Sequence, residues 1–285
     1  MLFKTRLIIG TKMMINVENP TFMIKDICNV LNITEEKLKD SINSFSKAAQ
    51  TEYWFDVEIF NKQSERFLNT LSAVSFEKIY FCHLTRSIAT PDVLLPIQDL
   101  LTSQNDFSTF LKNHNLLFKK VDNKLSMIYD GRVIPEKEIY DSQRFENNHN
   151  RLAGRLGFCG EADYCVNGFA FAYNPKKSTN GYYNLLNRGP ELLQDLDELL
   201  GTHLCDDYCK SSKYYYAICK VPLQQVIFDG REDLNSSLNR TKSYLSSCFE
   251  FLAEWYSLEE DGSLSNLVLR MDDYTSIKVD HYFEV

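Results

Sequence analysis

The apolar residues change their spacing at Phe76, and that change sets what the chain can fold into. Upstream of it, Leu38, Ile42 and Phe45 recur at helical intervals and share one face. Residues 24–31 and 34–48 read as two helices joined at Asn32-Ile33. Thr34 is the expected N-cap, because its hydroxyl can accept a backbone N–H that the first turn leaves without a partner. Val57, Phe60, Leu68 and Leu71 continue the helical pattern, so residues 1–75 are expected to form an N-terminal helical region. The first two helices have the outline of a DNA-binding helix-turn-helix, but Glu35, Glu36 and Asp40 would set carboxylates against phosphates, and a packing role is the reading taken.

Downstream, short runs rich in β-branched and aromatic residues take over. Strands are expected at 78–84, 116–121, 125–129 and 132–134, the last two joined by the hairpin turn Asp130-Gly131. A helix is expected at 106–113, and the Asn-rich stretch 144–150 reads as a mobile surface loop. Strands follow at 164–173, 214–221, 225–228, 267–271 and 277–283. Pro190 and Gly201 bracket a helix carrying Leu192, Leu193, Leu196 and Leu199, and a long helix covers 238–256. Strands in irregular order among segregated helices indicate an α+β fold rather than a doubly wound sheet. No internal repeat is visible.

Charge narrows the functional classes. With 31 Lys and Arg against 39 Asp and Glu, the net charge of −8 disfavours a general polyanion binder, which needs clustered cations. No apolar run reaches the ~20 residues of a membrane span, and the apolar stretch near the amino terminus is shorter than a signal peptide requires, so a cytoplasmic protein with no membrane partner is expected. In that compartment the eight cysteines are expected as reduced thiols. Dinucleotide-fingerprint, P-loop, zincin and nucleophile-elbow motifs are missing. His203, Cys205 and Cys209 have a spacing that zinc tolerates, and Cys159 and Cys165 could add thiolates, but a second closely spaced pair is lacking and no metal is expected.

The chemistry-bearing segment begins at His83-Leu84-Thr85-Arg86, which ends an apolar strand. A histidine there is by itself more often a satisfied core or loop residue than a functional one. Three later blocks give it context: Asn167-Gly168-Phe169-Ala170-Phe171-Ala172, Lys177-Ser178-Thr179-Asn180-Gly181-Tyr182, and the strand 215–228 containing Val221-Pro222-Leu223. In their order these resemble the ADP-ribosyltransferase family of the diphtheria-toxin and poly-ADP-ribose-polymerase type, with its His-x-Thr strand end, Gly-aromatic strand and Lys-Ser-x-x-Tyr helix start. The resemblance covers residues 76–285, with an insertion at about 100–160.

What the resemblance implies is a split, twisted β-sheet domain holding NAD as substrate in a cleft. His83 would hydrogen-bond the ribose of the nicotinamide half, supported by Thr85, and Ser178 would face the same ribose. Tyr182 or Tyr173 would stack on the nicotinamide ring, with Gly168 and Phe169 lining the cleft. Arg86, Arg151 and Arg155 are candidates for the pyrophosphate, with a surface-charge reading left open. Cleaving the nicotinamide–ribose bond develops positive charge, which calls for a carboxylate nearby. The family's glutamate falls here on Asn266, so Glu259 or Glu260 would have to serve, with Glu260 preferred as nearer the strand. Two further departures are Ala170, where the family has a tyrosine, and the long span from His83 to Gly168.

The function implied is an intracellular ADP-ribosyltransferase or NAD glycohydrolase, transferring ADP-ribose to an unknown protein or nucleic acid. By analogy it would suit a toxin or antiviral-defence role. The competing class is a catalytically inactive module that senses a nucleotide or partner on the same fold.

Overall fold

The computed structural model describes residues 14–285 apart from 53, 72–73, 141–146, 160–162, 180 and 258–263, and leaves aside the side chains of 147–150. Glu259, Glu260, Asn180 and much of the Asn-rich stretch therefore lie outside the described residues.

Three helices lead. α1 (Pro20–Leu31) starts four residues earlier than the apolar spacing predicts, because Asn19 accepts from Thr21 N and Pro20 fits a first turn that needs no N–H. α2 (Glu35–Ala49) begins as expected, with Thr34 Oγ1 accepting from Lys37 N at 3.2 Å. α3 (Val57–Asn69) is capped by Asp56. Their buried faces do not close on one another alone. Phe45 lies 5.8 Å from Phe60 and 6.3 Å from Phe249, far along the chain, so these helices share one core with the sheet. Each such fully buried side chain contributes about 1.5–3 kcal/mol.

The next stretch runs β1 (Lys78–Ser87), β2 (Val93–Leu94), α4 (Ile97–Thr102) and α5 (Asp106–Asn113), the last closed by a capping box between Asn105 and Ser108. β3 (Leu116–Val121), β4 (Lys124–Tyr129) and β5 (Arg132–Val133) make a separate three-stranded sheet. Its second turn is the expected Asp130-Gly131, both residues at positive φ (48° and 77°), as a tight hairpin demands. α6 (Glu136–Ile139) and α7 (Asn147–Arg155) follow, so 147–150, expected in a loop, form the first turn of a helix. Arg151 and Arg155 on α7 account for this, since both bind carboxylates of a later helix.

β6 (Asn167–Phe169), α8 (Pro175–Ser178), α9 (Tyr182–Asn187), α10 (Glu191–Leu200) and α11 (Leu204–Ser211) lead into β7 (Lys213–Pro222). β8 (Ile227–Phe228), α12 (Ser237–Ser257), β9 (Val268–Arg270) and β10 (Ile277–Glu284) complete the chain. Pro190 and Gly201 flank α10 as expected, Gly201 at φ 66°.

The main sheet has the order β2-β10-β7-β1-β6-β9-β8, antiparallel at every pairing, and the fold is α+β. α4, α5, α7, α10, α11 and the small sheet enclose a second apolar core built around Leu111, Leu116, Tyr164, Leu193 and Tyr208. No helix among the described residues is long and apolar enough to cross a membrane.

Candidate functional site at the fork of the sheet

β1 pairs with β7 over its full length, from Lys78 opposite Pro222 to Ser87 opposite Lys213. With β6 it shares, among the described residues, the single register pair Cys82 and Phe169. The sheet therefore forks beside β1. Gly168 lets the two strands meet at that point: a Cβ there would lie 2.5 Å from the Phe81 ring and 2.7 Å from the Cys82 carbonyl oxygen.

His83 follows that pair directly. Its Nδ1 is 2.6 Å from Asn167 O, and because a carbonyl can only accept, Nδ1 carries the proton. The imidazole thus supplies the partner that the strand ladder does not give Asn167. Nε2 remains an acceptor in the neutral ring. Burial lowers the His83 pKa below its ordinary value, and the bond to Asn167 opposes part of that shift. Strand alternation puts Thr85 on the same face of β1, and Cys82 and Phe169 on the other. On that other face Tyr182, 44% exposed at the start of α9, lies 6.0 Å from the Phe169 ring. Tyr183, the next residue, stacks on Tyr214 at 5.3 Å and fixes α9 against β7. An imidazole acceptor and an exposed phenol ring therefore flank the fork from its two faces.

The remaining candidates are occupied within the fold. Ser178 is fully buried, and its hydroxyl donates to Tyr173 O at 2.9 Å. Tyr173 packs edge-on against Phe251 of α12. Arg86 donates to Cys209 O, Ser212 O and Ser212 Oγ, which ties the end of β1 to the end of α11. Arg151 and Arg155 bind Asp195 and Glu191 of α10. Asn266 is buried between α12 and β9 and holds the Phe171 backbone twice, accepting from its N–H at 3.0 Å and donating to its C=O at 2.8 Å. The expected strand 164–173 shrinks to β6 for that reason: past Phe169 the backbone bonds to Asn266 and, through Ala172 N and Tyr173 N, to Val17 O.

Cys205 donates to Arg188 O at 3.1 Å, and its pKa is pushed up to about 12, chiefly by burial. Among the described residues no group of three or more His, Cys, Asp or Glu is placed to hold a metal ion. Sequence reasoning missed Asn167, because the feature that matters there is a main-chain carbonyl at a fork and no side-chain type announces it.

No family model matches the chain. No solved structure matches it either. Over 76 residues, 27% of its length, the chain is 32% identical to mitochondrial zinc maintenance protein 1 of Eremothecium gossypii, and it spans 63% of that protein. The resemblance to the ADP-ribosyltransferases is thereby corrected, since the curated similarity is to a protein of another kind. Its motifs are a few residues long, and local tasks explain several of them here: Gly168 clears the Phe81 ring, and Ser178 satisfies the Tyr173 carbonyl.

Proposed function

We propose that the fork between β1 and β6 is a nucleotide-binding site, with NAD the first candidate, in a module that holds its ligand without cleaving it. The observation that carries this reading is the fixed tautomer of His83, whose neutral Nε2 can accept a hydrogen bond from a ribose hydroxyl beside an open strand edge. Tyr182 lies against Phe169 on the opposite face of the fork and takes no part in that contact. Retention of the bond is supported by the described side chains placed at the fork: His83, Thr85 and Tyr182 include no carboxylate to meet a developing ribosyl cation.

The test is calorimetric titration with NAD, paired with incubation of adenine-labelled NAD. Saturable binding with the label recovered as intact NAD is the expected result. Absence of saturable binding overturns the site, and label on a macromolecule or in free ADP-ribose overturns the non-cleaving reading in favour of transferase or glycohydrolase activity.

A further inference from the structure

A cavity of about 260 Å³ lies where α12 faces β9 and the segment after β8. Most polar groups on its wall are already engaged. Ser247 donates to Ser243 O, Ser265 donates to Glu254, Asn266 is held by Phe171, and Asp229 pairs with Arg270 at 3.5 Å. Two charged groups are left. Arg231 donates from Nη1 to Ser243 Oγ at 2.7 Å, which fixes the guanidinium and leaves its other N–H groups uncommitted among the described residues. Glu250, half-buried on α12, makes no hydrogen bond or ion pair among the described residues.

The two opposite charges line one cavity without meeting each other in an ion pair. A half-buried carboxylate without a partner is costly, so this arrangement favours a ligand that supplies one. The shift on Glu250 agrees: burial and then the charge of Glu254 raise its pKa, while Arg231 acts only as a weaker opposing influence. A molecule bearing an ammonium and a carboxylate a few bonds apart would satisfy both groups. Arg231 can bind the carboxylate with two parallel N–H donors, and Leu267 and Val268 give an apolar wall for a modest side chain. The volume is below the range of drug-sized sites and suits a single small metabolite.

We propose that this cavity binds a free α-amino acid, with Glu250 taking the ammonium group and Arg231 the carboxylate. The site is separate from the fork and does not rest on the reading of His83.

The test is calorimetry on the full chain with glycine, L-alanine, L-serine and L-leucine, with n-butylamine and butyrate as probes carrying only one of the two charges. Saturable binding of at least one amino acid is expected, and Glu250→Gln and Arg231→Gln should each weaken it roughly tenfold or more, the scale of a lost charged hydrogen bond. Thermal melts establish that both variants fold, and Glu250→Gln, close in shape to the native side chain, keeps the test decisive if Arg231→Gln does not. No binding by wild type, equal binding of n-butylamine, or full affinity in a folded Glu250→Gln protein would each overturn the proposal.

Discussion

His83 Nδ1 donates to Asn167 O at 2.6 Å, one residue beyond the point where β1 and β6 meet. Nδ1 donates in both the neutral and the charged ring, so what couples the ring's protonation to folding is its burial beside the fork.

That coupling has a defined sign. The folded-state pKa of His83 lies below the ordinary value of 6.5, through burial first, so the folded protein prefers the neutral ring. The unfolded chain then binds more protons on acidification, and stability is fully present above about pH 6.5 and is lost as pH falls through the folded-state pKa. Thermal melts from pH 8 to pH 5 should show Tm falling on the acid side, with a smaller fall in His83→Asn. An equal fall in both proteins would assign the acid sensitivity to other groups. NAD affinity should follow the same window, since a protonated Nε2 can no longer accept, and His83→Ala should bind more weakly by about 0.5–1.5 kcal/mol.

Gly168→Ala tests the fork itself. The added methyl meets the Phe81 ring at 2.5 Å and a main-chain oxygen at 2.7 Å, and the latter cannot move without shifting β1. The expected cost is about 1–3 kcal/mol, as for overpacked cores. Urea denaturation measures it, and a change below about 0.5 kcal/mol, the scale of ordinary surface substitutions, would show the strands to be freely separable there.

How far the sequence could be read depended on how local the determinants were. Thr34, Asn105, Pro190 and Gly201 act within a few residues of themselves, and the helices they bound fall where spacing and capping rules place them. The long strand expected over 164–173 is different, because its outer half bonds to Asn266 and Val17, which are distant in sequence. In the site, His83 and Tyr182 were legible as a polar and an aromatic residue at element ends. That Arg86 and Ser178 are spent on main-chain carbonyls was not, since residue type does not reveal a tertiary partner.

Asn266 separates structure from catalysis. Asn266→Asp keeps an acceptor for the Phe171 N–H but sets a carboxylate oxygen against the Phe171 carbonyl that the amide now serves. The variant should lose about 1–3 kcal/mol, the cost of leaving a buried polar group without its partner, and should not gain NAD cleavage. Denaturation and the labelled-NAD assay read the two outcomes separately. Turnover of NAD by Asn266→Asp would mean that position 266 reaches the bound ribose after all.

The buried ion cluster between α7 and α10 gives the largest expected effect. Asp195 is 1% exposed and accepts from Arg151 Nε at 2.9 Å and Nη2, while Arg155 bridges it to Glu191 at 2.7 Å. Asp195→Asn keeps the volume but removes the charge that faces both guanidinium groups, leaving Glu191 to compensate two cations. Breaking one side of such a buried cluster costs about 3–5 kcal/mol, whereas an exposed pair is worth about 0–1 kcal/mol. The exposed pair Lys124 and Glu136, 3.1 Å apart, is the internal control. Urea denaturation should show a large loss for Asp195→Asn and a loss under about 1 kcal/mol for Glu136→Gln. Hydrogen exchange should place the added opening in α7, the helix that Arg151 and Arg155 hold onto α10. If the two variants are equally stable, the cluster contributes no more than a surface pair, and α7 must be held by the apolar contacts of Leu152 and Leu156 instead.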